Sequence, residues 1–104
     1  MKTLDKLVEL VENWGEERNF YHETDGTTSE KQFLKLVEEV GEIGGNLARG
    51  KSVKDDIGDV VVVLIGLAKL NELSLKECLE HSYNEIKDRK GKMVNRVFIK
   101  EKDL

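Results

Sequence analysis

Val60-Val61-Val62-Val63-Leu64-Ile65 is the stretch on which the fold turns. Taken alone, this β-branched run suits a buried strand. A continuous apolar run has no periodicity with which to choose between strand and helix. Two neighbouring features favour helix. Ser52, with Asp55 three residues on, has the form of a capping box, and the apolar run continues through Leu67, Ala68 and Leu70. The spacing predicts a helix over about 52–72. It is apolar nearly all round, so it should be the central, buried element.

Working outward, Ser29 and Gln32 form a second apparent capping box and open a helix over about 29–49. Phe33, Leu36, Val37, Val40, Ile43 and Leu47 fall on one stripe, which is expected to be buried. Gly44-Gly45 thins this helix and Gly50 ends it. Ser74 and Glu77 open a helix over about 74–90, with Leu75, Cys78, Leu79, Ser82 and Ile86 on its inner face and Gly91 as its stop. Thr3 is the expected N-cap of a helix over about 3–18 carrying Leu4, Leu7, Val8, Val11 and Trp14. Asn19 to Thr28 reads as a loop, with Asp-Gly in its polar run. Residues 91–104, with Val94 and Val97-Phe98-Ile99, read as an extended arm that packs back or onto a partner. The fold class is all-α: one four-helix, bundle-type domain over 1–104.

Composition supports this and excludes much else. Charged residues make up 37% of the 104, and there is no proline. From Lys87 onward there are seven Lys/Arg against three Asp/Glu, and before it ten against eighteen, so a basic end follows an acidic body. That end is too short and too diluted by acids to favour nucleic acid. One cysteine, Cys78, rules out an internal disulfide framework. The apolar run Val60 to Ala68 falls short of the roughly 20 residues that span a bilayer. Met1 to Gly15 is amphipathic and acidic rather than a secretion signal. A cytoplasmic protein is expected, with no membrane partner. A chain this short buries a modest core, so a homodimer, or a dimer of dimers, is expected to complete the bundle.

Two acidic clusters hold the candidate chemistry: Glu38-Glu39-Val40-Gly41-Glu42 and Asp55-Asp56-Ile57-Gly58-Asp59. Each has carboxylates three residues apart, which share a helix face. An oxygen-only ligand set of this kind suits Mg2+. On the helical wheel Lys35, Glu38, Glu39, Glu42 and Asn46 lie opposite the apolar stripe, which is also what a solvated face looks like. Asp56 and Asp59 lie instead on a sector continued by Val63, Leu67 and Leu70. A partly buried Asp59 is costly unless a cation or hydrogen bonds compensate. His22 and His81 have no metal or nucleophile partners in the pattern.

Lys35-Leu36-Val37-Glu38-Glu39-Val40-Gly41-Glu42, followed by Asp55-Asp56-Ile57-Gly58-Asp59-Val60-Val61, resembles the MazG-like nucleotide pyrophosphohydrolases of the all-α NTP pyrophosphatase superfamily. Their signature is ExxE, a spacer, then [DE]xxD; here it reads Glu39-x-x-Glu42, thirteen residues, Asp56-x-x-Asp59. Asp56 stands where Glu is commoner. The stretch Arg89 to Lys100 is similar to the family's C-terminal motif, with Asn95 where Gly is frequent, and Trp14 with Arg18 resembles its first-helix motif. The resemblance implies hydrolysis of nucleoside triphosphates between the α and β phosphates, with Mg2+ (or Mn2+ as a substitute) held by Glu39, Glu42, Asp56 and Asp59. Glu38 is then the candidate for positioning or deprotonating the attacking water, with an ordinary exposed glutamate as the other reading. Lys35, Arg89, Lys90 and Lys92 are candidates for the phosphates, and Trp14, Arg18 and Asn95 for the rest of the substrate. Specialised dUTP, dCTP or phosphoribosyl-ATP hydrolysis stays open within the superfamily. From another class, so does a non-catalytic helical dimerisation module.

Overall fold

Thr3, Thr28 and Ser74 each begin a helix by accepting a hydrogen bond from the backbone N–H three residues on, which satisfies one of its unpaired donors. In the computed structural model, which describes residues 1–104, these helices are α1 (Leu4–Glu17), α2 (Ser29–Ala48) and α4 (Leu75–Ile86), and α3 (Lys54–Leu70) lies between the last two. The Val60–Ile65 run is in the middle of α3, helical throughout. The fold is all-α, with one small hairpin at its C-terminal end.

The helix is present at each predicted place, but only the Ser74–Glu77 capping box forms. Ser29 instead accepts a hydrogen bond from Asn71 Nδ2 at the far end of α3, 3.1 Å away, so Thr28 takes over the cap. Gln32 turns inward and donates from Nε2 to the Val63 carbonyl at 3.2 Å. Val53 precedes α3 without a side-chain cap, and Ser52 accepts only from the Lys54 N–H.

α3 is the central element, packed against α2, α1 and α4. The buried hydrophobic residues are Val63, Ile65 and Ala68 of α3 and Val8 of α1. Gly66, also buried, lets α2 come close: a Cβ there would meet the Gln32 amide at 2.8 Å. Of the α2 stripe expected to be buried, only Leu36 and Ile43 are half-buried against α3. Phe33, Val37, Val40 and Leu47 are each more than half exposed. α2 packs chiefly on α3, along its Gln32–Leu36–Glu39–Ile43–Asn46 edge, and nothing else in the chain covers the stripe. The inner face predicted for α4 is likewise open: Leu79 and Ile86 are exposed, and no residue of that helix is fully buried.

α4 also stops a turn earlier than predicted, at Ile86, and Gly91 starts a strand rather than ending the helix. The C-terminal arm is a hairpin, β1 (Gly91–Val94) and β2 (Val97–Lys100), antiparallel with Met93 opposite Phe98. Asn95 and Arg96 both have positive φ, 50° and 68°, as a two-residue turn matched to strand twist requires. Every residue of the hairpin is exposed except half-buried Ile99. An isolated pair of strands is marginal in water.

These gaps add up. The chain exposes 8331 Å², against about 5,900 Å² for a compact monomer of its mass. Its radius of gyration is 16.7 Å, where about 13 Å is usual for the length.

Candidate metal centre

Gln32, Glu39 and Asn46 follow one another at seven-residue intervals along α2, and all three turn toward α3. That column, rather than the apolar stripe, is the inner edge of α2. Glu39, expected on a solvated face, is therefore only 6% exposed. Its Oε1 is 3.3 Å from Lys35 Nζ, and its Oε2 is buried without any hydrogen-bond partner. Orphaned buried carboxylate oxygens are costly, and a missing cation is one of the few things that explains them.

The surroundings fit that explanation. Carboxylate oxygens of Glu38, Glu39 and Glu42 lie within 4.8 Å of one another. Glu42 is exposed, yet its carboxyl is pushed above the usual range, first by the charge of Glu39, then by desolvation, then by Glu38 and Asp56, with Lys35 acting against them. Asp56 therefore bears electrostatically on the same cluster from α3. It is buried and accepts a 2.7 Å hydrogen bond from Asn46 Nδ2. Asp59 is exposed, contrary to the expected partial burial; it sits one turn further along α3, where the α2 contact has opened into a cleft. The two buried members are thus Glu39 and Asp56, one from each helix.

The cleft, about 510 Å³, is lined by Glu39 and Asp59 with Lys31, Lys35, Gln32, Val62 and Val63, and by Trp14, Phe20 and Thr27 at its other wall. The Trp14 and Phe20 rings pack at a 49° tilt with centroids 5.4 Å apart. Arg18 caps the outer side of the indole, 4.6 Å from its centroid, and its Nη1 donates to the Trp14 carbonyl. Lys35 is held above its usual range by its contact with Glu39 and the charges of Glu38 and Glu39. Glu38 is exposed, 3.5 Å from Lys35.

Of the predicted residues, Trp14, Lys35, Glu39 and Asp59 share this cleft, and Glu38, Glu42 and Asp56 adjoin it electrostatically. Arg89 and Lys90 do not; they lie with Asp88, Lys100, Glu101 and Lys102 on a separate surface at the base of the hairpin. Lys92 and Asn95 are exposed on the hairpin itself. Sequence reasoning missed Phe20, Thr27 and Lys31. Only the i,i+4 spacing of Lys31 and Lys35 was a usable signal, because the loop's path back over α1 has no local signature.

An uncharacterized 18.2 kDa protein in the rep-hol intergenic region of Haemophilus phage HP1 is 41% identical to this chain over 75 residues, 70% of this chain and 44% of that protein. The chain thus matches less than half of that relative's length. No family model matches the sequence, and no solved structure matches it significantly. No helix is long and apolar enough to cross a membrane.

All the donors at the site are carboxylate oxygens, the set that Mg2+ or Mn2+ takes and that softer metals do not prefer. A pH dependence follows. A carboxyl whose folded pKa is raised favours its protonated form, so its contribution to folding is present at low pH and lost as pH rises through the folded value. For Glu42 in cation-free protein, mildly acidic buffer should therefore relieve repulsion with Glu39. Protons compete with the cation at the same oxygens. Titration calorimetry should show Mg2+ affinity rising as pH climbs above the ordinary glutamate range; a flat profile would remove Glu42 from the ligand set.

Proposed function

We propose that this chain is a Mg2+-dependent nucleoside triphosphate pyrophosphohydrolase, cleaving (d)NTP between the α and β phosphates to (d)NMP and pyrophosphate. The observation that carries the reading is the buried, unpartnered Oε2 of Glu39 beside the carboxylates of Glu38 and Glu42. The ExxE and DxxD pattern supports it, as does an aromatic wall, Trp14 with Phe20, across the same cleft. A triphosphate meets four carboxylates only through cations, so Glu39, Glu42, Asp56 and Asp59 would hold Mg2+, with Mn2+ as a substitute. When bound, such a cation polarises a phosphoryl oxygen and acidifies water. Glu38, exposed next to the cluster, takes the place of the base that orients or deprotonates that water. Lys31 and Lys35 face the phosphates, and Trp14, buttressed by Arg18, offers its face to the base. Nucleotide-pool housecleaning in the cytoplasm is the role that fits this chemistry, and specialised dUTP, dCTP or phosphoribosyl-ATP hydrolysis are forms of the same reaction.

The partner in this reading is a second copy, as a dimer or a dimer of dimers. Arg89, Lys90, Lys92 and Asn95 stand away from their own chain's cleft, so any substrate role for them is played at another copy's site. Pyrophosphate release from a dNTP panel, with and without Mg2+, tests the proposal. Release that needs the cation is expected. No release from any nucleotide, together with no nucleotide or cation binding, would leave the helical dimerisation module as the better reading.

A further inference from the structure

Asn46 is the third residue of the polar column on α2, and its amide makes the shortest side-chain contact between α2 and α3, 2.7 Å from Nδ2 to Asp56 Oδ2. Asp56 is 6% exposed and Asn46 half-buried, so this bond is partly shielded from bulk water, where it has directional value. The other end of the amide is also occupied. Arg49 Nη2 donates to Asn46 Oδ1 at 3.1 Å, and an amide that accepts there must present its NH2 to Asp56. Room for the guanidinium comes from Gly45, where a Cβ would stand 3.1 Å from Arg49 Nη2. The Gly44-Gly45 pair, which looks like a helix weakness in sequence, thus has a packing reason at its second position.

We propose that Asn46 is a positioning residue for Asp56, locked in orientation by Arg49, and that it sets cation affinity without touching the cation. The choice of residue type is the physical point. An arginine placed directly on Asp56 would neutralise its carboxylate and compete with a cation. A neutral amide fixes the carboxylate while leaving its full charge, and the positive group is held one residue back. Outer hydrogen-bond partners of ligating carboxylates commonly govern affinity in this way. The inference rests on the cation reading above.

Mn2+ binding, followed by the electron paramagnetic resonance of free Mn2+, tests it without any nucleotide. Asn46→Ala should weaken Mn2+ binding by about 10- to 100-fold. Arg49→Gln, a change at an exposed position, should weaken it by about threefold through loss of the amide lock. The double variant should bind no worse than Asn46→Ala, because the two act through one path. A merely structural role would lower the EDTA melting midpoint and leave Mn2+ affinity unchanged. Wild-type affinity in Asn46→Ala, or in Arg49→Gln if the former fails to fold, overturns the inference, and so does a double variant whose losses add. No Mn2+ binding by the wild type is a separate result, which overturns the cation reading itself.

Discussion

Glu39→Gln should abolish the proposed activity while making the cation-free protein more stable. Glu39 keeps one oxygen near Lys35 and buries the other with no partner. A site built to fold would put an amide or an apolar group there, because an ionised carboxylate loses its hydration on burial. Gln conserves the volume, keeps an acceptor for Lys35 and relieves Glu42 of the neighbour that pushes hardest on it. It also removes the charge a cation needs. Pyrophosphate release should fall by about 10³-fold, or about 4 kcal/mol of transition-state stabilisation. The thermal midpoint in EDTA should rise. Saturating Mg2+ at about 100 times its Kd should stabilise the wild type by about 2.7 kcal/mol and the variant hardly at all, so the order of the two midpoints reverses on adding Mg2+. A variant less stable than the wild type in EDTA, and equally responsive to Mg2+, would sink this account. The same substitution logic does not extend to Asp56, where Asn46 already compensates the carboxylate, or to exposed Asp59, where little stability is stored.

The placement of these carboxylates shows what a sequence can and cannot disclose. The helices were legible, including α3 with its run of four valines, because a long apolar segment packed against three other helices outweighs β-branching, even with no side-chain cap at its start. The Ser74–Glu77 box was legible because it is a contact within one turn. Which face of α2 turns inward was not. Hydrophobic periodicity finds the apolar face of a helix but not the surface that covers it, and here no surface of the same chain does. The inner edge is instead Gln32, Glu39 and Asn46 with Leu36 and Ile43. It is polar because the Gln32 and Asn46 amides bond to α3, on the Val63 carbonyl and the Asp56 carboxylate, and Glu39 places its carboxylate in the cluster. The polar residues at seven-residue intervals were visible all along. They look like surface until the partner helix is known. The structure brings together the carboxylates of Glu38, Glu39 and Glu42, yet of the four spaced carboxylates burial falls on Glu39 and Asp56, a distinction that depends on where two helices cross.

If a second copy covers the exposed stripe of α2, as proposed above, Val37→Asp should dissociate that dimer and take the fold with it. Val37 lies mid-way along the exposed stripe of Phe33, Val37, Val40 and Leu47. The excess exposed area, about 2,400 Å² over a compact monomer, is on the scale that obligate interfaces cover. A second observation points the same way. Gly41, Gly44 and Gly58 stand in helix interiors with open space where their side chains would be, and each costs a helix about 1 kcal/mol relative to alanine. Nothing within the chain uses that room, which would admit the close backbone of the proposed second copy. With the stripe buried between copies, an aspartate at position 37 places an unpaired charge on each side of a two-fold contact, at a cost of at least about 3 kcal/mol per protomer. Only four hydrophobic residues are buried within one chain, so the proposed contact would supply a large share of the apolar burial. Sedimentation equilibrium should give at least twice the 11.9 kDa chain mass for the wild type and for Val37→Leu, with a melting midpoint that rises with concentration. Val37→Asp should sediment near the single-chain mass and lose helical circular dichroism. A wild type that sediments at 11.9 kDa, with a midpoint independent of concentration, would mean that this open arrangement of helices is stable alone, and the second copy would have no place in the site.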